Sequence, residues 1–267
     1  MSTMTALDIV KFIEDSLAQG PYTDWDGGFM AGAPEDTVKS VAVTWMILTP
    51  VLKKIASANF DMVVCHESPW IGPTQEYKGP WEDDSVSKDP VADIERKRIL
   101  RDNSITLFMC HHGLDQLIIY DEFARSIGCE KSIAGDGYTQ VFEMEPITVK
   151  ELIASLKKKF NLDFIRYAGN ENALVRRPGL LFGGVGLNPN AKFKIPYLLN
   201  NGADVIVAGE IDEFTIYNCA EAKIPIIECG HAVSELPGLI KFTEMLKKRF
   251  PQLHIDFFPT PNYNKSM

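Results

Sequence analysis

Short apolar runs alternate with amphipathic segments along most of this chain. The apolar runs predict buried strands at residues 41–48, 61–67, 105–112, 139–143, 161–167, 180–182, 203–209, 225–231 and 254–258. Apolar residues at helical spacing predict helices between them, for example over 5–19 and over 148–160, where Thr148 and Glu151 form a capping-box signature. Strands that alternate with helices in this way indicate an α/β fold.

Local signals predict several boundaries. Thr49 followed by Pro50 is typical of an N-cap and a proline at the first helical position. The pair Gly27-Gly28 predicts a turn, and Gly128 predicts the end of a helix. Glu235 opens the longest amphipathic run, which we expect to form a helix as far as residue 250.

Three of the predicted strands end in a histidine that is followed within four residues by a carboxylate. The pairs are His66 with Glu67, His111 with Asp115, and His231 with Glu235. The carboxyl ends of strands in an α/β layer meet at one edge of the sheet, where such proteins bind ligands. Six imidazole and carboxylate donors are too many for one zinc ion and suit two adjacent divalent ions. The pattern therefore predicts a dinuclear metal site.

Other polar residues lie close to these strand ends. His112 follows the second histidine and is a candidate for proton transfer or for supporting a metal ligand. Glu210 follows an apolar strand and is either a general base or substrate clamp, or a solvated strand terminus. Cys229 precedes the third histidine by two residues and is a weaker candidate ligand. His254 stands outside the pattern, and we expect it to be structural.

A long segment at 68–89 is rich in proline, glycine and aspartate, which predicts a loop of functional length. Its aromatic residues Trp70, Tyr77 and Trp81 either stack on a planar substrate or form a lid, or they pack the loop against the protein. The glycine-rich stretch 183–186 predicts a turn or a close approach of the backbone to another group.

Composition excludes some classes of partner. The chain has 267 residues and a formal net charge of −9, and it lacks the basic patch that binding to nucleic acid requires. No stretch approaches the length of a membrane span, and the N-terminal segment predicts an amphipathic helix rather than a signal peptide. Five irregularly spaced cysteines without a CxxC motif indicate reduced thiols, so we expect a cytoplasmic protein.

The order of the histidine motifs resembles the dinuclear-metal proteins of the NIF-three-like family (NGG-interacting factor three), often called type 2 GTP cyclohydrolase homologues. That family has a strand ending in a histidine pair, then His-x-x-x-Asp, then Gly-His-x-x-x-Glu. The matching motifs here begin at His66, His111 and Gly230. The resemblance extends over about residues 25–260. One departure is Glu67, which stands where the family has a second histidine and makes the predicted site harder.

The resemblance implies two similar α/β lobes with mixed sheets flanked by helices, and a metal site in the cleft between them. We assign residues 1–128 to an N-terminal lobe with the first two motifs, and residues 129–267 to a C-terminal lobe with the third. The implied cofactors are two divalent ions of Zn, Fe or Mn. The implied assembly is a homo-oligomer, commonly a hexameric ring.

The leading functional hypothesis is a metal-dependent hydrolase that activates water against a small cyclic amide, amidine or nucleotide-like substrate. In this hypothesis Asp115, Glu235 or both bridge the ions, and the remaining ligands are terminal. Glu210 and His112 are the candidate catalytic residues. Two alternatives remain at this stage: a metal-binding or metal-chaperone protein without turnover, and an oligomeric interaction scaffold.

Overall fold

The computed structural model describes residues 4–16, 27–71, 90–261 and 263. The helices are Ala6–Ser16 (α1), Thr49–Ser57 (α2), Val91–Asp102 (α3), His112–Leu114 (α4), Tyr120–Ser126 (α5), Val149–Phe160 (α6), Ala191–Asn200 (α7), Glu213–Glu221 (α8) and His231–Arg249 (α9). The strands are Gly27–Ala31 (β1), Ser40–Thr44 (β2), Met62–Cys65 (β3), Thr106–Cys110 (β4), Lys131–Asp136 (β5), Thr139–Glu143 (β6), Ile147–Thr148 (β7), Arg166–Ala168 (β8), Leu174–Val175 (β9), Pro178–Leu181 (β10), Val205–Ala208 (β11), Ile226–Glu228 (β12) and His254–Phe258 (β13). A π-helix at Asp115–Ile119 joins α4 to α5, and a 3₁₀ turn at Gly183–Gly186 follows β10.

The chain forms two compact α/β units, as the family resemblance implies. The first unit comprises Met1–Leu117 and Leu239–Pro261, and the second comprises Ile118–Gly238 and Asn262–Met267. This division differs from the predicted one at residue 128, because β13 pairs in parallel with β2 and so returns the end of the chain to the first sheet.

The first unit is built on a five-stranded sheet in the order β1-β4-β3-β2-β13. Strands β13, β2, β3 and β4 run parallel, and β1 pairs antiparallel with β4. Every residue of β2, β3 and β4 is buried, as is usual for parallel strands covered on both faces. Apolar residues of α2 and α3, including Leu52, Ile55 and Ile99, pack into this core. The carboxyl ends of β3 and β4 are therefore side by side.

The second unit is built on a six-stranded sheet in the order β5-β6-β10-β11-β12-β8. Its centre is the parallel set β10, β11 and β12, and the flanking pairs are antiparallel. The predicted capping box is confirmed at α6, where Thr148 Oγ1 accepts from the backbone N–H of Glu151 at 3.2 Å. Because β10, β11 and β12 are parallel neighbours, their carboxyl ends lie side by side at one edge of this sheet.

Several boundaries differ from the sequence prediction. Helix α9 begins at His231 rather than at Glu235, which places both residues on one helix a turn apart. The N-cap of α2 is Leu48, not Thr49, and no side chain caps it. The predicted turn at Gly27 is the start of β1, where a Cβ would lie 2.2 Å from the backbone oxygen of Met109. Glycine at this position allows the two strands to approach closely.

Parts of the predicted pattern fall outside the described residues. They include the end of the first helix beyond Ser16 and most of the long loop, with Tyr77 and Trp81. Trp70 is described, and the Lys97 ammonium lies 5.3 Å from the centre of its ring. Among the described residues, no helix combines the length and apolar composition needed to cross a bilayer.

Candidate metal centre

The first cluster of polar groups lies at the carboxyl ends of β3 and β4. Because these strands are parallel neighbours, His66 and Glu67 follow one strand beside His111, which follows the other. The backbone N–H groups of His66 and Glu67 both donate to the carbonyl of Trp45, at 3.1 and 2.8 Å, which fixes the chain just beyond β3. The imidazole rings of His66 and His111 have their centres 4.9 Å apart.

His66 is fully buried, and its two ring nitrogens face different groups. Nδ1 lies 3.2 Å from the carbonyl oxygen of Cys110, which can only accept, so Nδ1 carries the hydrogen. Nε2 lies 3.4 Å from Oδ1 of Asp115. Two donor atoms of one metal ion, each bonded at about 2.0–2.2 Å, are separated by a comparable distance. A hydrogen bond from the other ring nitrogen is what metal-binding histidines usually make.

His111 pairs with the other carboxylate of this cluster. Its Nε2 lies 3.6 Å from Oε1 of Glu67, and one donor atom from each of His66, Glu67 and His111 falls within 4.8 Å of the others. Burial lowers the pKa of His111, but the hydrogen bond to Glu67 and the charge of Asp115 outweigh it, so the pKa lies above its ordinary value. The cluster therefore favours positive charge.

Each histidine of this cluster also approaches a carboxylate of the other motif. Nε2 of His66 lies close to Asp115, and Nε2 of His111 lies close to Glu67. Asp115 opens a π-helix, a distortion that occurs often at functional sites. His112 accepts a hydrogen bond at Nε2 from the side-chain amide of Gln116 at 2.9 Å, so its ring is directed along the helix.

The second cluster lies at the carboxyl ends of β11 and β12. Glu210 follows β11, and His231 opens α9 just after β12. Nδ1 of His231 donates to Oε2 of Glu210 at 3.0 Å, and Nε2 lies 3.3 Å from Oε1 of Glu235. The spacing of four residues on α9 produces the latter contact, since such residues share one face of a helix. Glu235 is almost completely buried.

A third strand end closes over this cluster. Gly183 follows β10 with a φ of +50°, and a Cβ there would lie 2.2 Å from Oε1 of Glu235. Its backbone N–H donates to Oγ of Ser234 at 2.8 Å, and its carbonyl accepts from the N–H of Glu210 at 2.9 Å. The glycine-rich stretch 183–186 therefore brings the backbone close to the candidate ligand Glu235, which is one of the two alternatives that the sequence predicts.

The remaining candidates have simpler environments. Burial raises the pKa of Cys229 to about 12, so its thiol is protonated. His254 lies at the surface, where it pairs with Asp256 at 3.0 Å. Ser234 was not singled out from the sequence, because a serine inside a helix carries no signal by itself. The sequence does not single out Arg166 and Glu228 either, because their pairing depends on the register of β8 and β12, which are distant in sequence.

The two clusters share one arrangement of groups. In each, a histidine has Nδ1 hydrogen-bonded to an oxygen that only accepts, and Nε2 within 3.3–3.4 Å of a carboxylate oxygen. Neutral imidazole and carboxylate together form a donor set that suits zinc, iron and manganese. His66, Glu67 and His111 of the first cluster could therefore hold a divalent ion, and His231 and Glu235 of the second cluster offer two further donors of the same kind.

Comparison with known proteins gives a consistent result. A model of the Duf34/NIF3 (NGG1p interacting factor 3) family matches residues 4–264. A Clostridium perfringens protein named "GTP cyclohydrolase 1 type 2 homolog" is 25% identical over 256 residues, which is 91% of each chain. The Staphylococcus aureus hypothetical protein SA1388 superposes with a TM-score of 0.79 at 14% identity, covering 100% of both chains. Reduced HcgD from Methanocaldococcus jannaschii superposes with a TM-score of 0.72 at 20% identity, covering 97% of this chain and 99% of its own.

Proposed function

This chain belongs to the Duf34/NIF3 family, and on that premise we propose that it is a hydrolase that requires two divalent metal ions. The proposed ligands are His66, Glu67, His111, Asp115, His231 and Glu235. The proposed metals are Zn, Fe or Mn, and the proposed substrate is a small cyclic amide, a cyclic amidine or a nucleotide-like compound. The name of the Clostridium perfringens relative, a GTP cyclohydrolase homolog, supports this substrate class.

The observation that carries the proposal is the repeated arrangement around His66 and His231. In both residues the hydrogen bond at Nδ1 leaves Nε2 as the electron-pair donor, and this atom lies beside a carboxylate. A positive charge between two such donors, on a proton or on a metal ion, favours their proximity. The two occurrences in one chain support metal binding, because metal-binding histidines usually make this hydrogen bond from the other ring nitrogen.

The chain's own residues have distinct tasks in this proposal. When bound, the two ions would acidify water and polarise the electrophilic carbon of the substrate. Glu210 holds His231 through the hydrogen bond at Nδ1, which favours an orienting role over that of a free base. His112 is half-buried beside the first cluster and is the proposed group for proton transfer. Glu67 adds an anionic oxygen and biases the site towards harder ions.

A second function, metal binding without turnover, is supported by burial. His66, Asp115 and Glu235 are 0%, 6% and 2% exposed. Ligands this deeply buried suit retention of an ion at least as well as access of a substrate.

Elemental analysis of the protein purified without chelator, followed by hydrolysis assays, tests both functions. We expect about two ions per chain and hydrolysis of at least one compound in a panel of cyclic amides and nucleotides that includes GTP. Hydrolysis should disappear with a chelator and return with Zn²⁺, Fe²⁺ or Mn²⁺. Stable metal without turnover of any compound would favour the second function, and a protein that neither contains nor rebinds metal would exclude both.

Replacing Gly183 by alanine is expected to weaken metal binding at least tenfold by displacing the carboxylate of Glu235. The matched control is Gly137→Ala, since Gly137 has a φ of +49° but open space around its Cα. Each variant incurs roughly 1–2 kcal/mol of left-handed backbone strain, so a difference between the two variants reports the clash with Glu235. Equal metal affinities in competition titrations would show that Glu235 is not displaced or does not bind the ion.

We further propose that the protein is a homo-oligomer, a hexamer by resemblance to its family. Helices α7 and α8 expose Phe193 and Phe214, which are 70% and 72% exposed. Helix α7 is basic without an acidic residue, and α8 is acidic without a basic one. A second copy related by a two-fold axis can therefore match both charge and apolar surface. In light scattering, we expect the parent to exceed the 29.9 kDa of one chain and Phe193→Ser/Phe214→Ser to have a smaller mass; equal masses would exclude this surface.

A further inference from the structure

A cross-strand ion pair in the second unit is connected to the cluster around His231 through hydrogen bonds to the backbone. Arg166 of β8 lies directly opposite Glu228 of β12, and Nε of Arg166 donates to Oε2 of Glu228. The same two side chains also hold Ile211. Nη2 of Arg166 donates to the carbonyl of Ile211 at 2.6 Å, and the N–H of Ile211 donates to Oε1 of Glu228 at 3.1 Å. Both backbone polar groups of one residue are thus fixed by one ion pair.

Ile211 immediately follows Glu210, whose carboxylate accepts the hydrogen of Nδ1 in His231. On its other side, Glu210 is held by the hydrogen bond from its N–H to the carbonyl of Gly183. The side chain of Glu210 is 45% exposed, so burial alone does not restrict it. Its position therefore depends on how firmly the backbone on both sides is held.

We propose that Arg166 is a positioning residue for His231. Together with Glu228 it fixes Ile211, and so holds Glu210 where its carboxylate keeps Nδ1 of His231 protonated and Nε2 directed at Glu235. This inference rests on the proposed metal-binding function, because the consequence of a misplaced Nε2 is weaker binding of a cation.

The direction of the change in metal affinity distinguishes a positioning role of Arg166 from a purely electrostatic one. Arg166 carries a positive charge close to Glu210, Glu213 and Glu228. Removing that charge would strengthen the attraction of the site for a divalent cation if electrostatics alone acted. Loss of positioning predicts the opposite, a weaker site. The direction of the change in affinity therefore decides between the two.

The test is a competition titration of the full-length protein with Zn²⁺ and a chromophoric chelator. Arg166→Ala is expected to weaken Zn²⁺ binding about 10–100-fold, the range typical for groups that orient a metal-binding histidine. Arg176→Ala is the matched control, because Arg176 pairs with Glu143 in the same unit and has nearly the same exposure, 50% against 49%. Zn²⁺ binding that is unchanged or tighter in Arg166→Ala would overturn the inference.

Two further variants show whether Arg166 acts through Glu210. Arg166→Lys keeps the charge but cannot hold Glu228 and Ile211 in the same planar geometry, so it should restore only part of the affinity. Arg166→Ala/Glu210→Ala should bind Zn²⁺ no more weakly than Glu210→Ala alone, since the second change removes the group being positioned. Additive losses would contradict this route.

A measurement on the metal-free protein tests the positioning role of Arg166 independently of the proposed metal-binding function. In the metal-free protein, nitrogen NMR of His231 should show hydrogen at Nδ1 in the parent and in Arg176→Ala, and a mixture of tautomers in Arg166→Ala. If the parent binds no metal but this difference is present, the proposed function fails and the positioning stands. If the parent binds metal and the tautomer does not change, the positioning fails.

Discussion

A His231→Ala/Glu235→Ala variant is expected to hold no more than about one metal ion per chain, where the parent should hold about two. The two changes remove Nε2 and Oε1, which lie 3.3 Å apart on one face of α9. Metal-dependent hydrolysis should fall by more than about 100-fold, because even groups that only orient a ligand cost up to that factor. Elemental analysis and steady-state assays on protein purified without chelator measure both effects.

The control for this variant is His254→Ala. His254 is exposed and lies beside Asp256 on β13, so it has a histidine–carboxylate contact without the buried arrangement of the two clusters. Its removal should leave metal content and hydrolysis unchanged. A double variant that retains the parent's metal content would show that His231 and Glu235 are not ligands.

The sequence predicted the strand ends well because burial of parallel strands requires continuous apolar runs. Strands β3, β4, β11 and β12 all lie within the predicted segments, and the polar residues beyond them lie where the apolar pattern stops. The resemblance to the NIF-three-like family and the two-lobed α/β fold are confirmed. The residues that lie at each group of strand ends could therefore be predicted from the sequence, because parallel strands place their carboxyl ends at one edge of the sheet.

The partners within each cluster could not be predicted in this way. The hydrogen bond from His66 joins residues 44 apart in sequence, and the Arg166–Glu228 contact joins residues 62 apart. Such contacts depend on strand register and side-chain direction, which periodicity does not encode. For the same reason the sequence does not show that Nε2 of His66 lies 3.4 Å from Oδ1 of Asp115.

The C-terminal strand illustrates a different limit. The apolar pattern at β13 predicts a strand, but it contains no information about which sheet accepts it. Because β13 pairs with β2, it belongs to the first unit. That unit therefore consists of two separate segments of the chain, which a single boundary in the sequence cannot describe. The start of α9 was missed because the first turn of a helix need not bury an apolar face; Gly230, with a φ of +106°, marks the change of direction instead.

Replacing Arg96 by methionine is expected to reduce the free energy of unfolding by about 3–5 kcal/mol. Arg96 and Asp93 are each only 2% exposed, and Nη1 of Arg96 lies 3.5 Å from Oδ1 of Asp93. Methionine would fill most of the volume but remove the guanidinium charge that lies 3.5 Å from the buried Asp93 carboxylate. It would also remove the hydrogen bond from Nη1 to the carbonyl of Pro69 at 2.8 Å. Equilibrium unfolding in urea measures the change.

Arg98→Met is the matched control on the same helix. Arg98 is 53% exposed and pairs with Glu95 and Asp102, so the loss of these surface contacts should hardly move the urea midpoint. Arg96→Met/Asp93→Asn should recover a large part of the stability, because the second change removes the buried charge that Arg96 balances and keeps an acceptor for the N–H of Ile71. Equal midpoints for Arg96→Met and Arg98→Met would contradict the assignment of a buried ion pair.

The same experiment separates the fold from the candidate centre. The Asp93–Arg96 pair holds Pro69 and Ile71, which follow the proposed ligands His66 and Glu67 by only a few residues. A ligand that binds only the folded state adds stability in proportion to the logarithm of its concentration over its dissociation constant. If the pair acts on the fold alone, Zn²⁺ should stabilise Arg96→Met as much as the parent. A smaller metal-induced increment in Arg96→Met would mean that the pair also positions the residues that bind the ion.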